Sequence, residues 1–302
     1  MDPLNLIRLQ SMMAISRGIP NVTIGLIDGP VDMNHPAFDG SKISAVNQSQ
    51  IAVCKNASSI ACRHGTFITG ILCAKRGLAA PAICPGCKLL LRPIFIETPD
   101  NSSKGINKED IMFPSTRPEE LSEAIIEVVN AGARIINLSL GLSTSSLIRY
   151  PILQEAYDYA RLHGTIIVAA SGNQGNIGSI SLLQNEWIIP VAACNEYGQL
   201  DPISNFGPSI GYRGLMAPGI NITSTKSGGG YTKMSGTSFA APFVTGSIAL
   251  LWCIFSKATA TELIHAIRLA ASSRSHRSII PPLLNMEDTY RILQSTLLKH
   301  NK

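Results

Sequence analysis

The stretch KMSGTSFAAPFVTG (residues 233–246) contains a serine, Ser238, that two different roles would explain. A Ser or Thr side chain often accepts an orphan backbone N–H in the first turn of a helix, which favours Ser238 as a cap. Pro242 suits the same first turn, because its missing N–H costs little there. The same serine would equally serve as a nucleophile at the mouth of a buried helix, so this stretch alone leaves both roles open.

The residues that follow Ser238 form the longest apolar run of the chain. The segment 239–255 is almost uncharged and long enough to suggest a membrane span. It contains a proline, a threonine and a glycine, however, and the chain has no second segment of this kind. A helix that is apolar on all sides is also typical of the centre of a large soluble core. We therefore predict a core helix and no membrane partner.

Composition favours one large folded core. The chain has 302 residues, of which 45% are hydrophobic and only 15% are charged, the composition of a chain that buries a large core and leaves little to disorder. The net charge of +5 is spread along the chain without a run of like charges, so it does not indicate binding to nucleic acid.

The first residues, MDPLNLIRLQSMMAISRGIP, do not resemble a secretory signal, since polar residues interrupt the apolar positions. We interpret residues 1–19 as a short amphipathic lead-in and expect a cytoplasmic protein.

The chain contains seven cysteines, an odd number that predicts mostly reduced thiols. Cys84 and Cys87 form a CxxC sequence, but neither a second such pair nor a histidine pair accompanies it, which argues against zinc. We interpret it as a turn. Two local disulfides stay open at this point, Cys84–Cys87 and Cys54–Cys62. We expect no metal ion and no cofactor.

Apolar runs that alternate between strand and helix patterns set the fold class. Strands are predicted at 22–27, 88–96, 134–138, 165–170 and 187–193; helices are predicted at 64–75, 118–131, 151–163, after residue 238, and at 260–271 and 286–299. Residues 40–62 are interpreted as loop and residues 97–117 as a surface insertion. The alternation predicts a doubly wound, mostly parallel sheet with helices on both faces, a three-layer α/β/α fold, as a single domain over residues 20–302.

Four polar residues lie where such a fold would bring them together. Asp28 ends the first strand, and Asn173 lies just beyond strand 165–170, so both are expected at the carboxyl edge of the sheet. Amide hydrolysis needs a hydroxyl, a base, an acid that orients the base, and donors for the oxyanion. His64 and Ser238 complete this set. Each residue alone is more simply a turn or cap residue, and only their joint occurrence indicates chemistry.

Five blocks of sequence then resemble subtilisin-like serine proteases. They are LIDGPVDMNHPAF (26–38), RHGTFITGIL (63–72), INLSLG (136–141), VAASGNQG (168–175) and SGTSFAAPFVTG (235–246). The order of the blocks, with Asp before His and Ser last, is that of the family. An α/β-hydrolase would require Asp and then His after its serine, and it would leave the upstream blocks unexplained.

The resemblance implies a role for each residue. Ser238 is expected to be the nucleophile, His64 the general base, Asp28 the acid that orients it, and Asn173 the oxyanion donor. The substrate is expected to be a peptide. Its binding residues are implied to be Leu140 and Gly141, as a strand edge, and Ala170, Ser171 and Gly172, as walls of the first specificity pocket.

Within this family, the chain is most similar to the cyanobactin maturation proteases, on the stretches DGPVD (28–32), RPIF (92–95) and NAGARIINLS (130–139). Members of this group cleave ribosomally made precursor peptides, so the resemblance implies such a substrate. Some members ligate with the help of a helical cap between the Asp and His blocks, and this chain has no room for one, which favours hydrolysis. A general intracellular protease, a macrocyclase and an inactive binding module remain as alternatives.

Overall fold

The computed structural model describes residues 2–48, 52–95, 97, 115–142, 150–178, 181–271 and 278–299. Its strands are β1 (Thr23–Asp28), β2 (Lys42–Ala45), β3 (Lys88–Pro93), β4 (Ser115–Thr116), β5 (Ile135–Leu138), β6 (Gly141–Leu142), β7 (Ile166–Ala170), β8 (Ile188–Cys194), β9 (Leu215–Pro218), β10 (Ile222–Thr225) and β11 (Tyr231–Met234). Its helices are α1 (Pro3–Leu6), α2 (Gln10–Ile15), α3 (Ile60–Cys73), α4 (Pro118–Asn130), α5 (Pro151–Leu162), α6 (Pro208–Arg213), α7 (Thr237–Ile254), α8 (Ala260–Ala271) and α9 (Met286–Lys299).

A seven-stranded sheet in the order β2-β3-β1-β5-β7-β8-β9 forms the centre of the molecule. All of its neighbouring strands pair in parallel. Helices α3, α7, α8 and α9 share one hydrophobic cluster on one face, and α4 and α5 share a second cluster on the other. The doubly wound, mostly parallel α/β/α fold predicted from the sequence is therefore confirmed.

Helix α7 lies in the middle of this structure and contacts strands β5, β7, β8 and β9. Among the described residues it is the one helix that is long and apolar enough to cross a membrane. Inside the fold 89% of this stretch is buried, as expected for a core helix, and this burial explains why apolar residues surround it on all sides.

Residues 40–62, predicted as loop, contain structure that the sequence pattern did not reveal. Strand β2 lies at the edge of the sheet, where its mostly half-exposed side chains give it no apolar run. Helix α3 begins at Ile60 instead of residue 64, because the Ser59 hydroxyl accepts a hydrogen bond from the backbone N–H of Cys62 (3.1 Å).

Other differences concern short elements. Helix α6 and strands β9, β10 and β11 were not predicted, since runs of four to six residues carry little periodic signal. Most of the predicted insertion 97–117 lies outside the described residues. So does the loop 272–277. The division into a lead-in of residues 1–19 and a domain of residues 20–302 stays a prediction.

The CxxC sequence forms the turn that was predicted, with the Cys87 N–H donating to the Cys84 carbonyl (3.0 Å). No disulfide joins Cys84 and Cys87, so this pairing, which the sequence left open, does not form. The turn instead brings the Cys87 sulfur within 3.8 Å of the Cys253 sulfur at the end of α7. All three thiols are free.

One guanidinium group, that of Arg76, bonds the N-terminal segment, residues 2–19, to the loop beyond α3, in addition to the apolar contacts of Ile7, Leu9 and Met12 with the core. Arg76 donates hydrogen bonds to the carbonyl oxygens of Met13 and Ser16 in this segment. It also donates to the carbonyls of Ala82 and Ile83 beyond the end of α3. Because the planar guanidinium offers five donors, a single side chain satisfies four carbonyl groups from two segments.

Replacing Arg76 by Leu should therefore lower the free energy of unfolding by about 1.5–3 kcal/mol, since hydrogen bonds from a charged donor are lost and carbonyls lose their partners. Chemical denaturation of the purified protein measures this change. Arg291→Leu provides the control, because this exposed arginine makes only surface ion pairs with its own helix. Equal unfolding free energies for the two variants would contradict the assigned role of Arg76.

Candidate active site

Asp28 and His64 meet at the carboxyl edge of the sheet. Asp28 is the last residue of β1 and is fully buried, and His64 lies in the second turn of α3. The His64 Nδ1 and the Asp28 Oδ1 are 2.7 Å apart. The same oxygen accepts the backbone N–H of Gly29 (2.7 Å). Two residues that are distant in the sequence thus form a buried acid–imidazole pair.

This contact fixes which imidazole nitrogen carries the proton. A carboxylate only accepts hydrogen bonds, so the Nδ1 of His64 is the donor and the neutral ring leaves Nε2 as an acceptor. The Nε2 atom is buried and has no hydrogen-bond partner among the described residues. The ring is therefore oriented to take a proton from a hydroxyl group placed at Nε2.

The close approach of α3 to the loop after β1 depends on glycine at position 65. A Cβ atom at Gly65 would lie 2.5 Å from the carbonyl oxygen of Gly29 and 2.7 Å from that of Pro30. Both obstacles are backbone atoms that cannot rotate away. A larger residue at position 65 would therefore push the helix that carries His64 away from Asp28.

Ser238 is the second residue of α7, and its side chain does not cap the helix. The N-cap residue is Gly236, which has no side chain and so cannot cap the first turn itself. The Ser238 Oγ instead donates to the Ser139 carbonyl oxygen at 3.3 Å. The interpretation of Ser238 as a cap is therefore wrong for this structure.

Asn173 takes over the capping task from a distant segment. Its Oδ1 accepts the backbone N–H of Thr237 (2.8 Å) and the Thr237 hydroxyl (2.9 Å). Because the backbone N–H can only donate, the oxygen of the Asn173 amide must face it, and the Nδ2 group must point the other way. A Cβ at Gly236 would lie 3.2 Å from this Nδ2, so the amide lies directly against the start of α7.

The start of α7 therefore gathers hydrogen-bond donors. The first N–H groups of a helix have no intrahelical acceptor, and the helix dipole favours negative charge at this end. The Ser238 N–H and the Asn173 Nδ2 both belong to this region. Together they are able to bind a negatively charged oxygen next to the Ser238 hydroxyl.

His64 lies beside the residue that follows Ser238. The rings of His64 and Phe239 are 5.4 Å apart, and Phe239 packs on Phe67 of α3 at 4.7 Å. This aromatic contact places the start of α7 next to the imidazole. The structure thus brings Asp28, His64, Asn173 and Ser238 to one place, as predicted from the sequence.

The strand edge expected to bind substrate is already paired. Gly141 and Leu142 form β6, which pairs in parallel with Ser115 and Thr116 of β4. Leu140, which precedes β6, is buried. An extended peptide would have to enter beside β4 or displace it from this edge.

The residues expected to wall the specificity pocket lie next to the start of α7. Ala170 and Ser171 are buried at the end of β7. Gly172 has a φ of +99°, a conformation that favours glycine, and its N–H donates to the Thr237 hydroxyl (3.2 Å). Their contact with substrate stays a prediction.

A disulfide between Cys54 and Cys62 lies next to the Asp28–His64 pair. Cys62 is in the first turn of α3, two residues before His64. Cys54 donates its N–H to the carbonyl of Val31 (3.0 Å), three residues beyond Asp28. The disulfide, one of the two that the sequence left open, therefore joins the helix that carries the imidazole to the segment that follows the acid.

Glu97 lies beside this disulfide. Its carboxylate and the two sulfurs lie within 4.8 Å of one another, the one such group of metal-ligating side chains among the residues that the structure describes. The sulfurs are bonded to each other, and the carboxylate accepts the N–H groups of Lys55 (3.0 Å) and Asn56 (2.9 Å). In this form the group stabilises the loop before α3.

Sequence reasoning missed one residue of the site. Ser139 lies within the motif INLSLG but received no role, although its carbonyl is the acceptor for the Ser238 hydroxyl. A role could have been predicted from its position one residue beyond strand β5, at the same sheet edge as Asp28.

Comparison with known proteins places this site in a family. The sequence profile of the subtilase family matches residues 20–285. The thermophilic serine proteinase of Bacillus sp. (strain AK1) is 31% identical over 242 residues, which cover 78% of this chain and 53% of that protein. The chain therefore spans about half the length of this curated relative.

Two solved structures are also similar. The prenylagaramide maturation protease PagA superposes with a TM-score of 0.78 at 27% identity, covering 94% of this chain and 98% of that one. The patellamide maturation protease PatA gives a TM-score of 0.73 at 27% identity, covering 92% of this chain and 98% of that one.

Removing the disulfide by Cys54→Ser and Cys62→Ser together should lower the free energy of unfolding by about 2–3 kcal/mol, as expected for a cross-link that closes a loop of this size. Thermal unfolding with and without a dithiol reductant measures the effect. The double variant is its own control: the reductant should lower the Tm of the wild-type protein to that of the variant and leave the variant unchanged. A wild-type Tm that does not respond to the reductant would contradict the prediction.

Proposed function

This chain belongs to the subtilase family of serine endopeptidases, and we propose that it hydrolyses peptide bonds with Asp28, His64 and Ser238 as its catalytic triad. One observation carries the proposal: the buried His64–Asp28 hydrogen bond of 2.7 Å joins the end of β1 to the second turn of α3, beside the start of α7. Residues from three separate segments converge there, and a structural role alone does not require an acid, an imidazole and a hydroxyl in this order.

The proposed reaction begins with Ser238. Its hydroxyl rotates from the Ser139 carbonyl to the free Nε2 of His64, which takes the proton as the oxygen attacks the substrate carbonyl. His64 becomes an imidazolium, and the adjacent Asp28 carboxylate stabilises that charge. The imidazolium then gives its proton to the leaving amine, and a water molecule repeats the sequence on the acyl-enzyme.

The oxyanion of each tetrahedral intermediate is held by two donors. These are the Nδ2 group of Asn173 and the backbone N–H of Ser238. Asn173 is fixed by its two contacts with Thr237, so the donor is in place before substrate arrives. Such preorganised donors lower the barrier because nothing needs to reorient as charge develops.

The substrate class is proposed to be a ribosomal precursor peptide of the cyanobactin type. Support comes from the sequence blocks shared with the cyanobactin maturation proteases and from the similarity to PagA and PatA over more than nine-tenths of each chain. We propose Leu140, Gly141, Ala170, Ser171 and Gly172 as its binding residues. Action in the cytoplasm stays a prediction.

A general peptidase is the second candidate. It is favoured by the 31% identity to a thermophilic serine proteinase. The two candidates differ in their expected products: a maturation protease cleaves a cognate precursor at one position, whereas a general peptidase also degrades unrelated unfolded proteins. Mass spectrometry of the products from a cyanobactin-type precursor and from reduced casein separates them.

Asn173→Asp should reduce kcat by about 100- to 1,000-fold, the loss known for removal of such a donor in subtilisin, because the variant replaces the Nδ2 donor with an acceptor. The carboxylate still accepts the Thr237 N–H, so the Tm should stay close to that of the wild-type protein. Steady-state kinetics on a chromogenic peptide measures kcat. A kcat equal to that of the wild-type protein would exclude Asn173 from the oxyanion site.

Labelling with a fluorophosphonate probe tests the nucleophile directly. The wild-type protein should be modified at Ser238, and Ser238→Ala should not react. Ser235→Ala serves as the matched control, because Ser235 lies three residues upstream and its exposed side chain only accepts the N–H of Asn221. Labelling that survives in Ser238→Ala would place the nucleophile elsewhere.

Deletion of residues 98–114 of the insertion 97–117, which keeps Glu97 and β4, should alter cleavage of a precursor more than cleavage of a short peptide. The reason is that the described end of this insertion pairs with the strand edge proposed to bind substrate. The ratio of kcat/KM for the two substrates measures the effect. Replacing residues 101–111 by a Gly/Ser linker of equal length is the control for loss of chain length. An unchanged ratio in both variants would remove the recognition role.

A further inference from the structure

The hydroxyl of Ser238 and the imidazole of His64 are not hydrogen-bonded to each other in this structure. The Ser238 Oγ donates to the carbonyl oxygen of Ser139 (3.3 Å), and the His64 Nε2 has no partner among the residues described. The resting position of the nucleophile is therefore set by Ser139, a residue outside the triad.

Ser139 also binds Ser238 in the opposite direction. Its hydroxyl donates to the carbonyl oxygen of Ser238 at 2.8 Å. Ser139 is fully buried, and Ser238 is only 2% exposed, so water does not replace either bond. The first turn of α7 is thus tied to the end of β5 by two reciprocal hydrogen bonds.

Two more buried side chains determine the direction of the Ser139 hydroxyl. Asn137, inside β5, donates from its Nδ2 to the Ser139 Oγ (2.9 Å). The Thr245 hydroxyl donates to the Asn137 Oδ1 (2.9 Å). The Ser238 carbonyl oxygen can only accept, so the Ser139 hydroxyl must give its proton to it. Ser139 then accepts from the Asn137 nitrogen, and the Asn137 oxygen therefore faces Thr245.

The chain of bonds from Thr245 through Asn137 and Ser139 to Ser238 is fully satisfied inside the core. Thr245, Asn137 and Ser139 are each fully buried. A buried polar group is costly unless it is paired, so a chain with one consistent direction holds a single arrangement of its members. Thr245 lies two turns of α7 beyond Ser238, which means that the chain braces the helix at two points against one strand.

We propose that Ser139 is a positioning residue for Ser238 and that Asn137 and Thr245 act through it. The Ser139 hydroxyl fixes the main chain at the start of α7, and with it the Ser238 N–H proposed to bind the oxyanion. The Ser139 carbonyl holds the nucleophile in one resting position until the reaction begins. This inference rests on the proposed function of Ser238.

The variants are chosen to separate positioning from mere support of the fold. Ser139→Ala removes the donor to Ser238. Thr245→Val removes only the first hydroxyl of the chain and keeps the side-chain shape, whereas Thr245→Ser keeps that hydroxyl. Ser247→Ala is the control, because Ser247 is equally buried on the same helix and its hydroxyl has no partner among the described side chains.

Two quantities are measured on each variant, well below its Tm: the rate constant of fluorophosphonate labelling, and kcat and KM on a chromogenic peptide. Ser139→Ala should lower both the labelling rate and kcat by about 10- to 100-fold, the size expected when a reacting group is misplaced. KM should change by less than about twofold, because the peptide-binding residues are not altered. Thr245→Val should show a smaller loss in the same direction, and Thr245→Ser and Ser247→Ala should match the wild-type protein.

Labelling of Ser139→Ala and Thr245→Val at the wild-type rate would overturn the inference and leave the proposed function standing. So would a Thr245→Ser variant as slow as Thr245→Val, since its hydroxyl would then not matter. A wild-type protein that does not react with the probe would instead overturn the proposed function. If Ser139→Ala does not fold, the labelling rates of Thr245→Val and Thr245→Ser alone test the inference, which requires the Val variant to be slower.

Discussion

The hydrogen bond between Asp28 and His64 is the contact on which the site depends. It is buried, so both residues have given up water, and the bonded atoms, Asp28 Oδ1 and His64 Nδ1, depend on each other for a partner. The bond requires β1 and α3 to lie close together. They can do so because residue 65 is glycine, as a Cβ atom there would collide with the carbonyl oxygens of Gly29 and Pro30. Packing and hydrogen bonding therefore both require a short distance between β1 and α3. The Cys54–Cys62 disulfide supports it by joining α3 to the segment that follows Asp28.

The start of α7 is the second fixed point. Helices commonly supply their own cap, but here Asn173 caps the first turn from the end of another strand. Because its oxygen is used for the cap, its nitrogen is left to face outward as a donor. A single side chain thus both begins the helix and prepares a site for negative charge, and the capping contact itself fixes the orientation of that donor.

The core helix α7 carries polar residues although it is buried. Apolar side chains surround α7, yet Thr245 faces Asn137 in the middle of the sheet, and the pair leads to Ser139 and Ser238. An apolar pair of similar volume would pack there without any need for hydrogen bonds. The polar chain fixes the rotation and the height of α7 against its strand, which is what the nucleophile proposed at the start of that helix requires.

The sequence by itself determined the fold class and the four residues of the candidate site. Long apolar runs with clear periodicity specify buried strands and helices, and the motif blocks around Asp28, His64, Asn173 and Ser238 are local patterns. Only the tertiary structure decided the edge strand β2, the start of α3, the Cys54–Cys62 disulfide, the pairing of β4 with β6 and the role of Ser139. Each of these depends on contacts between segments far apart or on half-exposed residues, and such contacts leave no periodic trace along the chain.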